Sequence, residues 1–256
     1  MKQFGLIGKS LNHSFSARYF NGKFAKEILS GCRYDLFPLN SITELNDLIN
    51  RTDHLTGLNV TIPYKTSVIA LLDELDETAE IVGAVNTIKI FRVDGKIKTK
   101  GFNTDTWGFE HSTNAFVSHP HALVLGTGGA AKAITFVLRK KAIDYLMVSR
   151  LPKETGEISY NDIDEVIMKK YRWIINATPV GMVPDQKVCP PLPYHLITKD
   201  HFLYDLVYNP AKTIFLAKGK QSGAKTMNGL RMLKLQAEKS WDIWNNIDDS
   251  GNQLNK

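Results

Sequence analysis

Two kinds of apolar spacing alternate along this chain. Short unbroken apolar runs, closed by glycine, proline or polar residues, predict strands at 4–7, 34–39, 57–62, 122–125, 145–148, 173–175 and 202–207. Between them, apolar residues three and four apart predict helices at 17–29, 107–115, 130–141, 213–221 and 229–247. The first of these carries Tyr19, Phe20, Phe24 and Ile28 on one face, and the last Leu230, Leu233, Ala237, Trp241 and Trp244. Ser16 is placed to cap the first helix. Ser41 and Glu44 make a capping box ahead of Leu45, Leu48 and Ile49. Pro63 is expected to start a helix over 64–72. Asp94-Gly95 joins the arms of a hairpin, 88–93 and 96–99. Residues 184–193 read as a proline-rich loop, and the polar tail 248–256 as a frayed end.

This alternation is that of an α/β protein. The β-α-β pattern of residues 1–104 is complete before a glycine-rich turn begins, which places a domain boundary near Asp105. The turn is Leu125-Gly126-Thr127-Gly128-Gly129-Ala130-Ala131, lying between an apolar run and a helix-forming run. Gly126, Gly128 and Ala131 fit G-x-G-x-x-G/A, the dinucleotide fingerprint. Gly126 suits a tight turn, Gly128 lets backbone approach a pyrophosphate, and Ala131 keeps helix and sheet close. The free N–H groups at the helix start then face an anion. An NAD site places a carboxylate after the second strand, whereas this chain has Ser149 and Arg150, with Lys153 close behind. Arg and Lys pair with a 2′-phosphate, so NADP is the favoured cofactor.

Composition narrows the function classes. A hydrophobic share of 43% and a charged share of 23% are ordinary for a globular protein. The net charge of +6 comes from scattered basic residues without aromatic interleaving, which argues against nucleic acid. No apolar run spans a membrane or makes a signal peptide. Cys32 and Cys189 form neither a disulfide framework nor a metal set, which points to the cytoplasm.

Two residues carry candidate proton chemistry. Lys65 follows a strand and a proline, and Asp105 sits at the domain junction. A lysine there can exchange a proton with an alcohol or carbonyl. On spacing alone, the pair remain a helix-start lysine and an N-cap. Ser14, Ser16, Asn59, Thr61 and Asn86 are small hydrogen-bonding residues near strand ends, suited to a polyhydroxylated carboxylate ligand or to turn chemistry. His13 lies beside them without a metal-ligand set.

Taken in order, these motifs resemble the shikimate dehydrogenases. Ser10-Leu11-Asn12-His13-Ser14-Phe15-Ser16 is similar to the family's serine loop, and Asn59-Val60-Thr61-Ile62-Pro63-Tyr64-Lys65 to its N-V-T-x-P-x-K motif. Gly83-Ala84-Val85-Asn86-Thr87 matches G-A-V-N-T, and Asn103-Thr104-Asp105 with Gly108 matches N-T-D-x-x-G. Asn176-Ala177-Thr178-Pro179-Val180-Gly181-Met182 matches N-A-T-P-x-G-M. The runs from Asp205 to Pro210 and from Asn228 to Gln236 resemble the family's tyrosine strand and closing helix. Ala17, Ser149, Leu151 and Arg231 depart from the usual residues.

The resemblance implies an N-terminal α/β substrate domain and a Rossmann-like, doubly wound NADP domain with a cleft between them. Their expected extents are 1–104 with 229–256, and 105–228. It implies Lys65 and Asp105 as the catalytic pair. Ser14, Ser16, Thr61, Asn86, Asp105, Tyr208 and Gln236 would bind shikimate or 3-dehydroshikimate. Gly126, Thr127, Gly128, Gly129, Ala130, Ser149, Arg150, Lys153, Thr178, Leu206 and Gly229 would hold NADP. No metal is implied, and the chain is expected as a monomer or homodimer. Two alternatives stay open: a NAD-preferring quinate/shikimate dehydrogenase, and a non-catalytic NADP-binding sensor.

Overall fold

A computed structural model describes residues 1–11, 14–114 and 119–246. Asn12 and His13 of the polar loop, Ala115 at the end of one predicted helix, and the predicted helix end and tail over 247–256 lie outside the described residues. The described residues divide into two units: Met1–Thr104 together with residues 237–246, and Asp105–Gln236.

In the first unit the order is β1 (Lys2–Gly8), α1 (Phe15–Lys26), β2 (Cys32–Pro38), α2 (Leu45–Arg51), β3 (Leu55–Val60), β4 (Glu74–Leu75), α3 (Glu77–Val82), β5 (Thr87–Val93) and β6 (Lys96–Phe102). The strands form one mixed sheet, ordered β2-β1-β3-β5-β6-β4. β1 is buried almost throughout, because both sheet faces are covered. Its alternate side chains feed two cores: Ile7 joins Leu45, Leu48, Leu58 and Ile88, while Phe4 and Leu6 join Phe20, Phe24, Tyr34 and Trp244. The Asp94-Gly95 hairpin forms as expected, with Val93 opposite Lys96.

In the second unit α4 (Thr104–Thr113) leads to β7 (His121–Leu125), α5 (Gly129–Lys140), β8 (Asp144–Ser149), β9 (Glu157–Ser159), α6 (Glu165–Lys170), β10 (Trp173–Asn176), β11 (Phe202–Asp205), α7 (Ile214–Gln221) and β12 (Lys225–Asn228). All neighbours are parallel, ordered β12-β11-β10-β7-β8-β9. This is the Rossmann order, and its direction reverses between β7 and β10. β7 again splits its side chains, Ala122 and Val124 to one core, Leu123 and Leu125 to the other. The final helix, α8 (Leu230–Asn246), begins in the second unit and continues into the first. The division therefore falls inside this helix, not at residue 229.

Three local expectations need correction. The first helix starts at Phe15, and Ser14, not Ser16, is its N-cap; the Ser14 hydroxyl accepts the Ser16 N–H at 3.2 Å. No α-helix follows Pro63. Residues 62–66 turn, and only a 3₁₀ segment, Ser67–Leu71, forms. The Lys65 carbonyl, which a helix would use for its own ladder, accepts the Val85 N–H at 2.7 Å instead. β11 stops at Asp205 rather than at residue 207, because the Asp205 carboxylate turns the chain by accepting the Val207 N–H at 3.0 Å.

Candidate active site

In the first unit three motifs meet at the end of β3. The Thr61 N–H donates to the Ile7 carbonyl at 2.9 Å, and the Val60 N–H to the Asn86 carbonyl at 2.8 Å. The Lys65–Val85 bond fixes the turn carrying Lys65 against the Gly83–Thr87 segment. The Asn103 side chain donates to the Ala84 carbonyl at 2.8 Å, closing that segment from the other side. Thr61 and Lys65 are half-buried, whereas Asn86 is buried. The Asn86 carboxamide oxygen accepts the Thr104 N–H at 2.7 Å, and its Nδ2 donates to the Thr104 hydroxyl at 2.9 Å. Ser14 and Ser16, both half-buried, stand at the N-terminus of α1, whose positive dipole end favours an anion.

In the second unit the glycine turn has the required shape. Gly126 has φ +105°, and a Cβ added there would meet Thr178 Cγ2 at 2.9 Å, so a side chain is excluded on both counts. A Cβ on Gly128 would meet no protein atom within 4 Å, so no demand from the protein itself explains that glycine. Ala131 is fully buried, as close helix–sheet approach requires. Asn176 organises the neighbouring strand end. Its side-chain oxygen accepts both the N–H and the hydroxyl of Thr178, at 3.1 and 2.6 Å, and its Nδ2 donates to Asp205 at 2.9 Å. Beyond β8, Arg150 and Lys153 are exposed, and the Ser149 hydroxyl accepts the Leu151 N–H at 3.3 Å. The Glu157 carboxylate accepts the Lys153 backbone N–H at 2.9 Å, which folds this basic loop.

A Cβ on Gly229 would lie 2.1 Å from the Leu206 carbonyl oxygen, so only glycine allows this approach. Gly108 in α4 is similarly constrained, with Met232 O at 2.7 Å and Gln236 Cβ at 3.0 Å from an added Cβ. Gln236 is buried and donates to the Leu233 carbonyl at 2.9 Å, while Tyr208 is half-buried. Asp105 is buried in the first turn of α4, since that helix begins one residue earlier; it is not an N-cap.

Comparison with known proteins settles the family. A family model described as the shikimate dehydrogenase substrate binding domain matches residues 6–88. The NADP⁺-dependent shikimate dehydrogenase of Methanosphaera stadtmanae is 37% identical over 94% of this chain and 90% of that protein. The chain belongs to the shikimate dehydrogenase family. Two solved members agree throughout their length. Shikimate 5-dehydrogenase from Thermus thermophilus, in complex with NADP(H) and shikimate, has a TM-score of 0.82 at 30% identity, over 98% of this chain and 97% of that one. Shikimate dehydrogenase from Aquifex aeolicus gives 0.83 at 31% identity, over 100% and 94%. The α/β architecture, with a Rossmann-like half, is that of the family.

Within this shikimate dehydrogenase fold, several residues matter that the motifs did not single out. Asp205, Thr213, Ser240 and Tyr34 are buried polar side chains that hold motif residues in place. Their signal in the sequence is faint: Asp205, Ser240 and Tyr34 are single polar residues in apolar surroundings, and Thr213 is the N-cap of α7. Among the described residues, no helix is long and apolar enough to cross a membrane.

Proposed function

We infer that this chain catalyses the NADP-dependent interconversion of 3-dehydroshikimate and shikimate. The observation that carries this reading is 37% identity over 94% of the chain to an NADP⁺-dependent shikimate dehydrogenase. The residues present fit the cofactor. Gly126 is conformationally obligatory, Gly128 is open to a close approach, and the loop after β8 offers Arg150 and Lys153 where an NAD site would carry a carboxylate. Gly126 to Ala130 would hold the pyrophosphate, Ser149, Arg150 and Lys153 the adenosine 2′-phosphate, and Thr178, Leu206 and Gly229 the nicotinamide half. When bound, the reduced cofactor supplies the hydride.

This chain's side chains do the rest. Ser14 and Ser16 bind the substrate carboxylate with help from the positive end of α1. Thr61, Asn86, Tyr208 and Gln236 hold the ring hydroxyls. Lys65 gives a proton to the oxygen that becomes the alcohol, and takes it back in the oxidising direction. Asp105 orients the ammonium and binds the substrate.

Lys65→Ala is expected to lower kcat about 10²-fold or more, the scale of a lost general acid, while the KM for shikimate stays near wild type. Steady-state rates at the nicotinamide absorbance band test this, and near-wild-type turnover would remove Lys65 from its role. Because the two groups act as a unit, adding Asp105→Asn to Lys65→Ala should cost far less than Asp105→Asn alone.

A further inference from the structure

The reading above leaves several buried polar side chains of the first unit unused, and they form one connected run. The buried Tyr34 hydroxyl donates to Asn59 Oδ1 at 2.8 Å. Asn59 Nδ2 donates to Ser240 Oγ at 3.0 Å. Ser240 Oγ lies 2.7 Å from the Thr87 hydroxyl and 3.2 Å from that of Thr104. Thr104 in turn holds the Asn86 carboxamide through its N–H and its hydroxyl. Ser240 and Thr87 have no exposed surface.

A proton count gives the run a direction. Asn59 Oδ1 is an acceptor, so its Nδ2 must be the donor toward Ser240. With that proton accepted, the single Ser240 proton points onward, and the shorter distance selects Thr87. The Thr87 hydroxyl can then donate to the Thr104 hydroxyl at 3.2 Å or to Asn86 Oδ1 at 3.3 Å, the oxygen that also receives the Thr104 N–H. The Asn86 amide oxygen thus receives the Thr104 N–H, and its Nδ2 faces the Thr104 hydroxyl.

We propose that Ser240 is a positioning residue: with Tyr34 and Asn59 it fixes the orientation of the Asn86 carboxamide. This rests on the reading of Asn86 as a shikimate ligand. The test uses the full-length chain with Ser240→Ala, Tyr34→Phe, the double variant and Asn86→Ala, measuring KM for shikimate and for NADP⁺ beside thermal unfolding. Ser240→Ala and Tyr34→Phe should each raise the shikimate KM about fivefold, the scale of one hydrogen bond. The NADP⁺ KM should stay within about twofold, and the double variant should fall short of the product of the singles.

A purely structural role would lower the melting temperature and leave both KM values alone, or shift both alike; either result overturns the proposal. Should Ser240→Ala fail to fold, Tyr34→Phe, which removes only one hydroxyl, decides by the same criteria. A wild-type shikimate KM in Asn86→Ala would instead remove the reading of Asn86, and the positioning role with it. A raised KM in Asn86→Ala beside unchanged values in the other two variants would remove the positioning role alone.

Discussion

Asp205 is a fully buried carboxylate at the end of β11, with three donors aimed at it: Thr213 Oγ1 at 2.5 Å, Asn176 Nδ2 at 2.9 Å and the Val207 N–H at 3.0 Å. Burial pushes its carboxyl up to about 6, and the three donors restrain the rise. The folded chain therefore holds this proton more tightly than the unfolded one. The group's contribution to stability is complete below the unfolded value near 4 and is lost as pH rises through about 6. Asparagine cannot replace it well, since an amide nitrogen would face groups that are all donors. Asp205→Asn is expected to lower stability at pH 7 by about 1–3 kcal/mol. The gap to wild type should widen by about 1 kcal/mol at pH 5, because only the wild type gains from protonation. Urea unfolding at the two pH values checks both; a gap that narrows on acidification would refute the assignment.

The residues of the site that could be read from the sequence were those whose chemistry is stated by a local pattern. Gly126, with φ +105° inside a glycine-rich turn, is such a residue, whereas the demand on Gly229 comes from the distant Leu206 carbonyl. Asp205 and Ser240 were not legible, because their side-chain partners lie 8 to 29 and 136 to 181 positions away. No window of adjacent residues contains the reason for them.

At the scale of elements, long periodic segments were legible and short polar ones were not. β7, α5 and α8 follow from apolar spacing alone, with ends shifted by one or two residues. β12, made of Lys225, Thr226, Met227 and Asn228, has no apolar run and is a strand only because β11 pairs with it. The two-residue β4 is likewise created by its partner. The helix expected after Pro63 fails for the converse reason, since Val85 takes the carbonyl that would have continued it.

How elements meet is equally invisible in sequence, and Gly57 of β3 shows why. A Cβ there would lie 2.3 Å from the Trp244 indole nitrogen, which donates to the Ile88 carbonyl at 3.0 Å. Gly57→Ala is expected to destabilise by about 1–3 kcal/mol through overpacking. It should also displace α8 from the sheet, seen as a change in tryptophan emission. An alanine variant as stable as wild type would mean that the indole does not lie where described.

At the scale of the whole chain, each unit carries its own sheet and its own pair of cores. The first crossing between units was legible, because one β-α-β pattern ends before the glycine turn begins. The return was not, because α8 is one uninterrupted amphipathic helix whose apolar spacing does not change at Gln236. Ligand linkage gives a test on the intact molecule. At about 100 times its Kd, NADP⁺ should add about 2.7 kcal/mol to stability. NAD⁺ at the same concentration should raise the melting temperature less, and Arg150→Ala should shrink the difference. Equal protection by both dinucleotides would count against the role given to Arg150.

The path of α8 also bears on how the molecule is made. Trp244 and Ser240 complete a core that otherwise belongs to residues 4–34 and the sheet beside them. A growing polypeptide emerges amino end first. The portion that leaves the ribosome earliest therefore waits longest for its final wedge, while the nucleotide-binding half has its own sheet complete before that wedge is synthesised.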